Sequence, residues 1–505
     1  MSPVASSSLL EEYLAVANGN RNTAAIAFYA ALDHVRATSP LVAEAILQEL
    51  QDQRSNLKLI ASENYSSLAV QLAHANLLTD KYAEGYPFHR FYAGCDNIDT
   101  IEAEACRLAR ELFGAEYAYV QPHSGADANL VAFMAILASR VQTPLLEAIG
   151  HTDPGAATRE QWNQIREKVG QQRLLALDFA CGGHLTHGYR RNISSQLFDA
   201  YSYGVDPTTY QIDLDALYKQ AQELKPLILL AGYSAYPRKI NFAKMREIAD
   251  AVGATFMVDM AHFSGLVAGK VFTGDFNPVA HAHIVTSTTH KTLRGPRSGI
   301  VLATKELGTW VDKGCPMVIG GPLPHVMAAK AVAFQEALRP EFREYAQQIV
   351  KNAQSLAEYC LKESLPVLTG GTDNHLILID VFQRYGITGR QAELALRECG
   401  ITLNRNAIPF DRNGAWFTSG LRLGTPAVTT LGMGDGQMAE IARLLAEVLP
   451  HVQPDRTEDG KQSKAKYVLD QDVARQSRAE VKSLLTQFPL YPELNLGNNG
   501  SAVTK

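Results

Sequence analysis

The chain has 505 residues, 46% of them hydrophobic and 20% charged, with a formal net charge of −5. That length exceeds what one small core needs and fits two to four folding units. The weakly acidic balance argues against a nucleic-acid partner, and no run of about 18 apolar residues is present to cross a bilayer.

The first twenty residues carry no Lys or Arg, so a secretory signal is not expected. Six scattered cysteines without a CxxC pair argue against a disulfide framework and fit a cytoplasmic protein.

Residues 1 to about 55 read as helical, with Pro40 in a first turn and Ser39 as its cap. Residues 57–100, rich in Tyr and Gly, read as loop with short helices. From 101 to 335, short β-rich runs alternate with amphipathic helices. The strand candidates are 117–120, 174–177, 227–230, 255–258, 284–286 and 299–302, and the apolar run 130–138 reads as a buried helix. This alternation predicts an α/β fold on a mostly parallel central sheet with helices on both faces. A long helix is expected from EFREYAQQIVKNAQSLAEYCLKES, then a mixed α/β segment, the linker-like PDRTEDGKQSKAK and a polar tail. The expected division is an N-terminal arm over 1–65, a large domain over 66–340, a smaller C-terminal domain over 341–490 and a disordered tail over 491–505.

Three features suit an aldehyde cofactor with a phosphate handle. Asp259 ends the apolar run TFMVD, and the C-terminal end of a strand is where open α/β sheets bind ligands. A buried carboxylate there can pair with a pyridinium nitrogen and keep it protonated, although such an Asp is more often a helix cap or metal ligand. Lys291 follows the β-branched run HIVTSTTHK, crowded by Thr288, Thr289 and His290, with Gly295-Pro296-Arg297 turning the chain behind it. A desolvated Lys near other cations loses its proton and becomes nucleophilic, whereas a Lys at an open loop start stays a solvated charge. In QPHSGADANLVAFMAI a strand passes through Ser124-Gly125 into a helix. Helix N-terminal N–H groups suit phosphate, though Ser-Gly is also an ordinary cap.

Neither a GxGxxG fingerprint nor a Walker A motif is present. His184 and His187 in GGHLTHG lie three apart, like metal ligands on a helix, but no third ligand is evident. No metal is therefore expected, and a flat imidazole over a flat ring is the more economical use of one of them. Arg422 in TSGLRLGTPA offers bidentate capture of a carboxylate, or a surface ion pair.

These segments resemble, in order and from about 57 to 490, the serine hydroxymethyltransferases. The shared motifs include LIASENYSS at 59–67, DKYAEGYP at 80–87, FYAGCDNID at 91–99, VQPHSGADAN at 120–129 and GGHLTHG at 182–188. They continue with SAYPRKINFAKMREIAD at 234–250, VDMAHFSGLVA at 258–268, TTHKTLRGPRSG at 288–299, GGTDNHL at 370–376 and TSGLRLGTPA at 418–427.

The resemblance implies a type I aminotransferase-like fold, pyridoxal 5′-phosphate as cofactor, and serine, glycine and tetrahydrofolate as substrates. It further implies a homodimer with shared active sites and no nucleic-acid or membrane partner. By motif, Lys291 matches the Schiff-base lysine and Asp259 the partner of the ring nitrogen. His184 matches the ring-stacking histidine, and His262 and Ser234 match groups near the ring hydroxyl. Ser124 and Gly125 match the phosphate loop. Thr288 and His290 flank the lysine on the cofactor side, and Arg297 belongs to the turn that follows. Arg422 and Ser62 match the substrate-carboxylate site, and Leu185 and Asn406 match substrate and folate contacts. Glu84, Tyr82 and Tyr92 match residues that the partner subunit contributes, Glu84 as the proton-handling carboxylate. The implied reaction has serine displace Lys291 on the cofactor, lose its hydroxymethyl carbon, and pass that unit to tetrahydrofolate.

Several positions depart from the family pattern. Phe91 stands where a tyrosine is usual, Ala126-Asp127 where Ser-Gln is usual, and Cys181 where His is usual. Met317, Val318 and Ile319 replace a Gly-rich stretch, and 139–173 is longer than the usual connection. These changes predict a cofactor phosphate held less tightly than is typical. Two other readings are a folate-independent lyase or racemase of β-hydroxy amino acids and a catalytically silent binding protein. Glu84, Tyr92 and Asn406 speak against the first; Lys291, Asp259 and His184 speak against the second.

Overall fold

The computed structural model describes residues 8–17, 19 and 21–495. Seven short runs form one central sheet: β1 Tyr117–Tyr119, β2 Arg173–Leu177, β3 Asp199–Tyr203, β4 Ile228–Gly232, β5 Thr255–Asp259, β6 Ile284–Thr288 and β7 Gly299–Ala303. Their spatial order is β1-β7-β6-β5-β4-β2-β3. Successive side chains of a strand point to opposite faces. Leu174, Ile228, Leu230, Met257 and Ile284 accordingly enter one apolar core, and Leu175, Leu229, Phe256, Val258 and Val285 the other. Burial on both faces explains the near-continuous apolar runs of β4 and β5.

All six expected strands are present. The edge strand β3, DAYSY, lacks an apolar run because most of it is exposed, and so it left no signal in the sequence. β7 runs antiparallel to both of its neighbours, while the other pairings are parallel.

At the N-terminal side lie α1 Leu9–Val16, α2 Thr23–Thr38 and α3 Pro40–Ser55. Pro40 opens α3 as expected, but the Ser39 side chain makes no capping bond. The helix α4 Asp96–Phe113 precedes β1, and α5 Gly125–Leu137 follows it. α5 runs on through a π turn into Thr143–Ala148, well beyond the expected apolar run 130–138. By length and composition the stretch 125–148 would suffice to cross a membrane, yet 56% of its apolar window is buried inside the molecule. It is the core helix packed against β6 and β7. Further on come α6 Pro324–Ala337 and the long α7 Pro340–Lys362.

A second, antiparallel sheet contains β8 Leu376–Asp380, β9 Asn404–Asn406 and β10 Gly420–Gly424, with β10 in the middle. The stretch expected to be a linker is instead a β-hairpin, β11 Val452–Arg456 and β12 Gln462–Leu469. Along β12 only Ser463 and Leu469 are buried, so the polar composition is that of an exposed strand face. Gln391 fixes the hairpin by donating to the carbonyls of Ser463 and Lys466, each at 2.7 Å.

Part of the expected tail is packed. Arg54 donates to the carbonyls of Leu490 and Leu494 at 2.8 Å and of Tyr491 at 2.6 Å, and Leu490 and Leu494 are buried. Residues 496–505 lie outside the described residues.

Candidate active site

The C-terminal ends of the central strands collect the reactive groups. Asp259 is the last residue of β5 and Thr288 the last of β6; Lys291 lies three residues further on, and Ser234 two residues beyond β4. Arg422, on the middle strand of the second sheet, reaches across to them. It donates through Nη1 to the Ser234 carbonyl at 2.6 Å and hydroxyl at 3.0 Å, and through Nε to Asn404 Oδ1 at 3.1 Å. The site therefore sits where the two sheets meet.

Asp259 is buried, and burial by itself pushes its carboxyl up. Hydrogen bonds from His187 Nε2 at 3.2 Å and Asn129 Nδ2 at 2.9 Å, both to Oδ2, outweigh burial and hold it well below the usual carboxylate range. Oδ1 accepts from the Ala261 N–H at 3.0 Å. Asn129 is itself fixed, donating to Thr186 Oγ1 at 2.7 Å and accepting from Thr286 Oγ1 at 2.5 Å. A carboxylate has about four acceptor positions, so this anion retains capacity for one more donor.

Lys291 Nζ donates to Thr288 Oγ1 at 2.9 Å. Burial lowers its pKa to about 8; Asp259 pulls it back up, and Arg422 and Arg297 push it down. The surrounding imidazoles add no positive charge at neutral pH, because burial drives His184 to about 4, His290 and His375 to about 3, and His262 well below its ordinary value. His262 Nδ1 and His375 Nε2 are 3.1 Å apart, so one ring must donate to the other.

The His184 loop lies against the chain after β4 because its glycines carry no Cβ. A Cβ on Gly182 would meet the Ala235 carbonyl oxygen at 2.5 Å, and one on Gly183 the Leu177 oxygen at 2.0 Å. Gly182 oxygen in turn accepts from the N–H groups of Ser234 at 2.7 Å and Ala235 at 3.0 Å. His184 and His187 sit on this turn rather than on a helix. With Asp259 they bring three donor atoms within 4.8 Å of one another, a third candidate metal ligand that sequence spacing did not reveal. Asp259 Oδ2 is already engaged by His187 and Asn129, and His184 Nδ1 lies 2.8 Å from the Thr186 hydroxyl.

Ser124 caps α5. Its hydroxyl accepts from the Asp127 N–H at 3.1 Å and lies 3.0 Å from Asp127 Oδ2 as donor. Gly125 lies so close to β6 that a Cβ there would meet Thr288 Cγ2 at 2.7 Å. Ser62, His290 and Arg297 line one cavity of about 630 Å³, and Ser234 and Asn406 line another of about 350 Å³. Leu185 is exposed beside His184.

Tyr82, Glu84 and Tyr92 do not join this cluster. The two tyrosines are exposed and pack edge-on, with Tyr92 OH 3.4 Å from Glu84 Oε2. Among the described residues, no hydrogen bond or ion pair links the three to Lys291, Asp259 or Arg422. Sequence reasoning missed Asn129, His187, His375 and Asn404 as partners of the reactive groups. Asn129, the polar residue directly before the apolar run 130–138 of α5, was the available signal for the first.

The donor set suits pyridoxal phosphate: an amine of lowered pKa, a buried anion with a free acceptor position, a neutral imidazole and a Gly-started helix.

The serine hydroxymethyltransferase family model matches residues 35–170 and 168–445. The chain is 60% identical over 476 residues to the serine hydroxymethyltransferase of Salinispora tropica, covering 94% of this chain and 99% of that protein. It is 58% identical to the Treponema pallidum enzyme of that name, covering 97% of this chain and 85% of that protein. It is also 58% identical to that of Mycolicibacterium smegmatis, covering 94% and 96%.

Proposed function

The chain belongs to the serine hydroxymethyltransferase family, and from that premise we propose that the Lys291 cluster interconverts serine and glycine with tetrahydrofolate, using pyridoxal 5′-phosphate held by Lys291. The observation that carries the reading is the Lys291 amine at the sheet edge that also holds Asp259, donating to Thr288 Oγ1 at 2.9 Å, with its pKa lowered to about 8. Bound there, the cofactor supplies an aldehyde that joins to amines and a ring that draws electrons from the substrate's α-carbon.

The chain's residues have distinct tasks in this reading. Lys291 offers an unprotonated amine once the pH passes about 8. Asp259, held ionised, keeps a proton on the ring nitrogen through its remaining acceptor position. His184, neutral and next to the Gly182–Gly183 turn, would cover the ring face. His262 and Ser234 would hold the ring hydroxyl, and His290 and Thr288 flank the lysine. Ser124 and Gly125 receive the phosphate at the N-terminus of α5, with Tyr82 of a second copy. Arg422, with Ser62, binds the substrate carboxylate through charge-assisted hydrogen bonds. Leu185 and Asn406 contact substrate and folate. Glu84 and Tyr92 of a second copy complete the site, Glu84 moving a proton at the serine hydroxyl oxygen.

The working unit is accordingly a homodimer in the cytoplasm, with 66–340 as the cofactor domain and 341–490 as the smaller one. The test is serine cleavage by the purified protein with and without added tetrahydrofolate, beside its visible absorption with added cofactor. Folate-dependent formation of glycine is expected. Equal cleavage without folate, or no absorption change on adding cofactor, overturns the reading.

A further inference from the structure

Glu84 stands at the start of a tight hairpin, Gly85–Tyr86 paired with His89–Arg90. One buried guanidinium ties this hairpin to the body of the protein. The Arg90 side chain is 3% exposed. Its Nε donates to Asp99 Oδ1 at 2.8 Å and its Nη2 to Glu102 Oε2 at 2.6 Å, both carboxylates being on α4. Its Nη1 donates to the carbonyls on either side of Glu84, Ala83 at 3.0 Å and Gly85 at 3.3 Å.

Gln121, just beyond β1, completes the frame. Its amide donates to Gly85 oxygen and to Glu102 Oε1, each at 2.7 Å, and its own oxygen accepts from Tyr119 OH at 3.0 Å. The Glu84 carbonyl accepts from the Phe91 N–H at 3.0 Å. The carbonyls of three consecutive residues, 83 to 85, are thus pinned, while the half-buried Glu84 side chain lies between Gly320 and Tyr92. Its carboxylate accepts from the exposed Tyr92 hydroxyl at 3.4 Å, and among the described residues no hydrogen bond or ion pair links it to the Lys291 cluster. A backbone fixed this firmly, beneath a carboxylate without a bond to its own chain's reactive groups, suits a task outside that chain.

We propose that Arg90 is a positioning residue that holds Glu84 in place for the active site of a second copy of this chain, so that a lesion at Arg90 is felt in the partner's reaction and not in its own. The inference rests on the shared-site homodimer proposed above. The planar fork of Arg reaches two carboxylates and two carbonyls at once, and a Lys ammonium on a flexible stem does not. Arg90→Lys keeps the buried charge that Asp99 and Glu102 require, and so guards against loss of the fold.

The experiment uses mixed dimers, coexpressed with two different tags and purified through both. One chain carries Arg90→Lys and the other Lys291→Ala. If Arg90 acts in the partner's site, the mixed dimer holds one site with both residues intact and one with both lesions, so about half of the wild-type activity returns. The Arg90→Lys homodimer is expected to keep its cofactor absorption and its KM for serine within about twofold, while kcat falls by roughly 100-fold, the scale of a 1 Å misplacement.

A control dimer pairs Glu84→Gln with Lys291→Ala. Recovery in the control with no recovery in the Arg90 mixture overturns the proposal while leaving the shared site intact. No recovery in either mixture overturns the shared site, and the proposal with it. An Arg90→Lys homodimer with undiminished kcat also overturns it.

Discussion

The ε-amine of Lys291 donates to the hydroxyl of Thr288 at 2.9 Å, and that hydroxyl donates onward to the Ala261 carbonyl at 3.2 Å. The amine is therefore held by a neutral acceptor, and burial makes its proton easy to remove. Uptake of pyridoxal phosphate by the apo-protein is expected to quicken as pH rises and to level off above about 8. The folded pKa lies below the unfolded value of 10.5, so the unfolded chain binds more protons between the two. Stability of the apo-protein consequently rises with pH across that window. Stopped-flow uptake against pH checks the first expectation and urea unfolding the second. A Lys291→Ala chain that still develops the visible cofactor band would contradict the assignment.

Asp259→Asn replaces a triply bonded anion with a neutral amide. A loss of roughly 100- to 1000-fold in kcat is expected, the scale seen when one preorganised electrostatic group is removed. Since the folded carboxyl is held well below 3.8, its contribution to stability is present above that value and is lost as pH falls towards the folded one. Steady-state kinetics and acid unfolding of both proteins give the comparison. A variant within fivefold of wild type sinks the role.

Asp127 places its own carboxylate on the Ser124 hydroxyl at the start of α5. A phosphate arriving there meets a like charge and a hydroxyl already engaged. Asp127→Asn is expected to tighten pyridoxal phosphate by roughly two- to fivefold at low salt, the worth of one charge at a helix N-terminus. Fluorescence titration of apo-protein measures it. Equal affinities would show that the wild-type carboxylate does not oppose the phosphate.

Arg422→Lys removes the fork that spans Ser234 and Asn404. The expected cost is about tenfold to 100-fold in kcat/KM for serine, as for one lost charge-assisted hydrogen bond, with the larger share in KM. Unchanged KM would mean that the arginine holds the two sheets together and does not hold substrate.

Lys291 and Asp259 were legible in the sequence because Asp259 ends an apolar run and Lys291 follows a β-branched one by three residues, and strand ends in an α/β sheet point to one edge. Their partners were not. Asn129 meets Asp259 across 130 positions, and His375 meets His262 across 113. Only the folded sheet brings such residues together; the polar Asn129 beside an apolar run hints at the first, and nothing local marks the second. The hairpin at 452–469 was misread as a linker for a related reason. Its outward face is Lys- and Gln-rich, and the inward residues that identify it as strand are few.

The grip of Arg54 on residues 490–494 has a consequence for how the molecule opens. Leu9, Tyr13, Tyr29 and Leu32 share one apolar cluster with Leu490 and Leu494, so α1 to α3 and the far end of the described chain rest on each other. Amides in both segments are expected to exchange with solvent as a single cooperative unit. Such closeness of distant segments also favours circular permutation. A chain joined from near 495 to near 8 and reopened at an exposed loop would keep the catalytic sheet edge untouched.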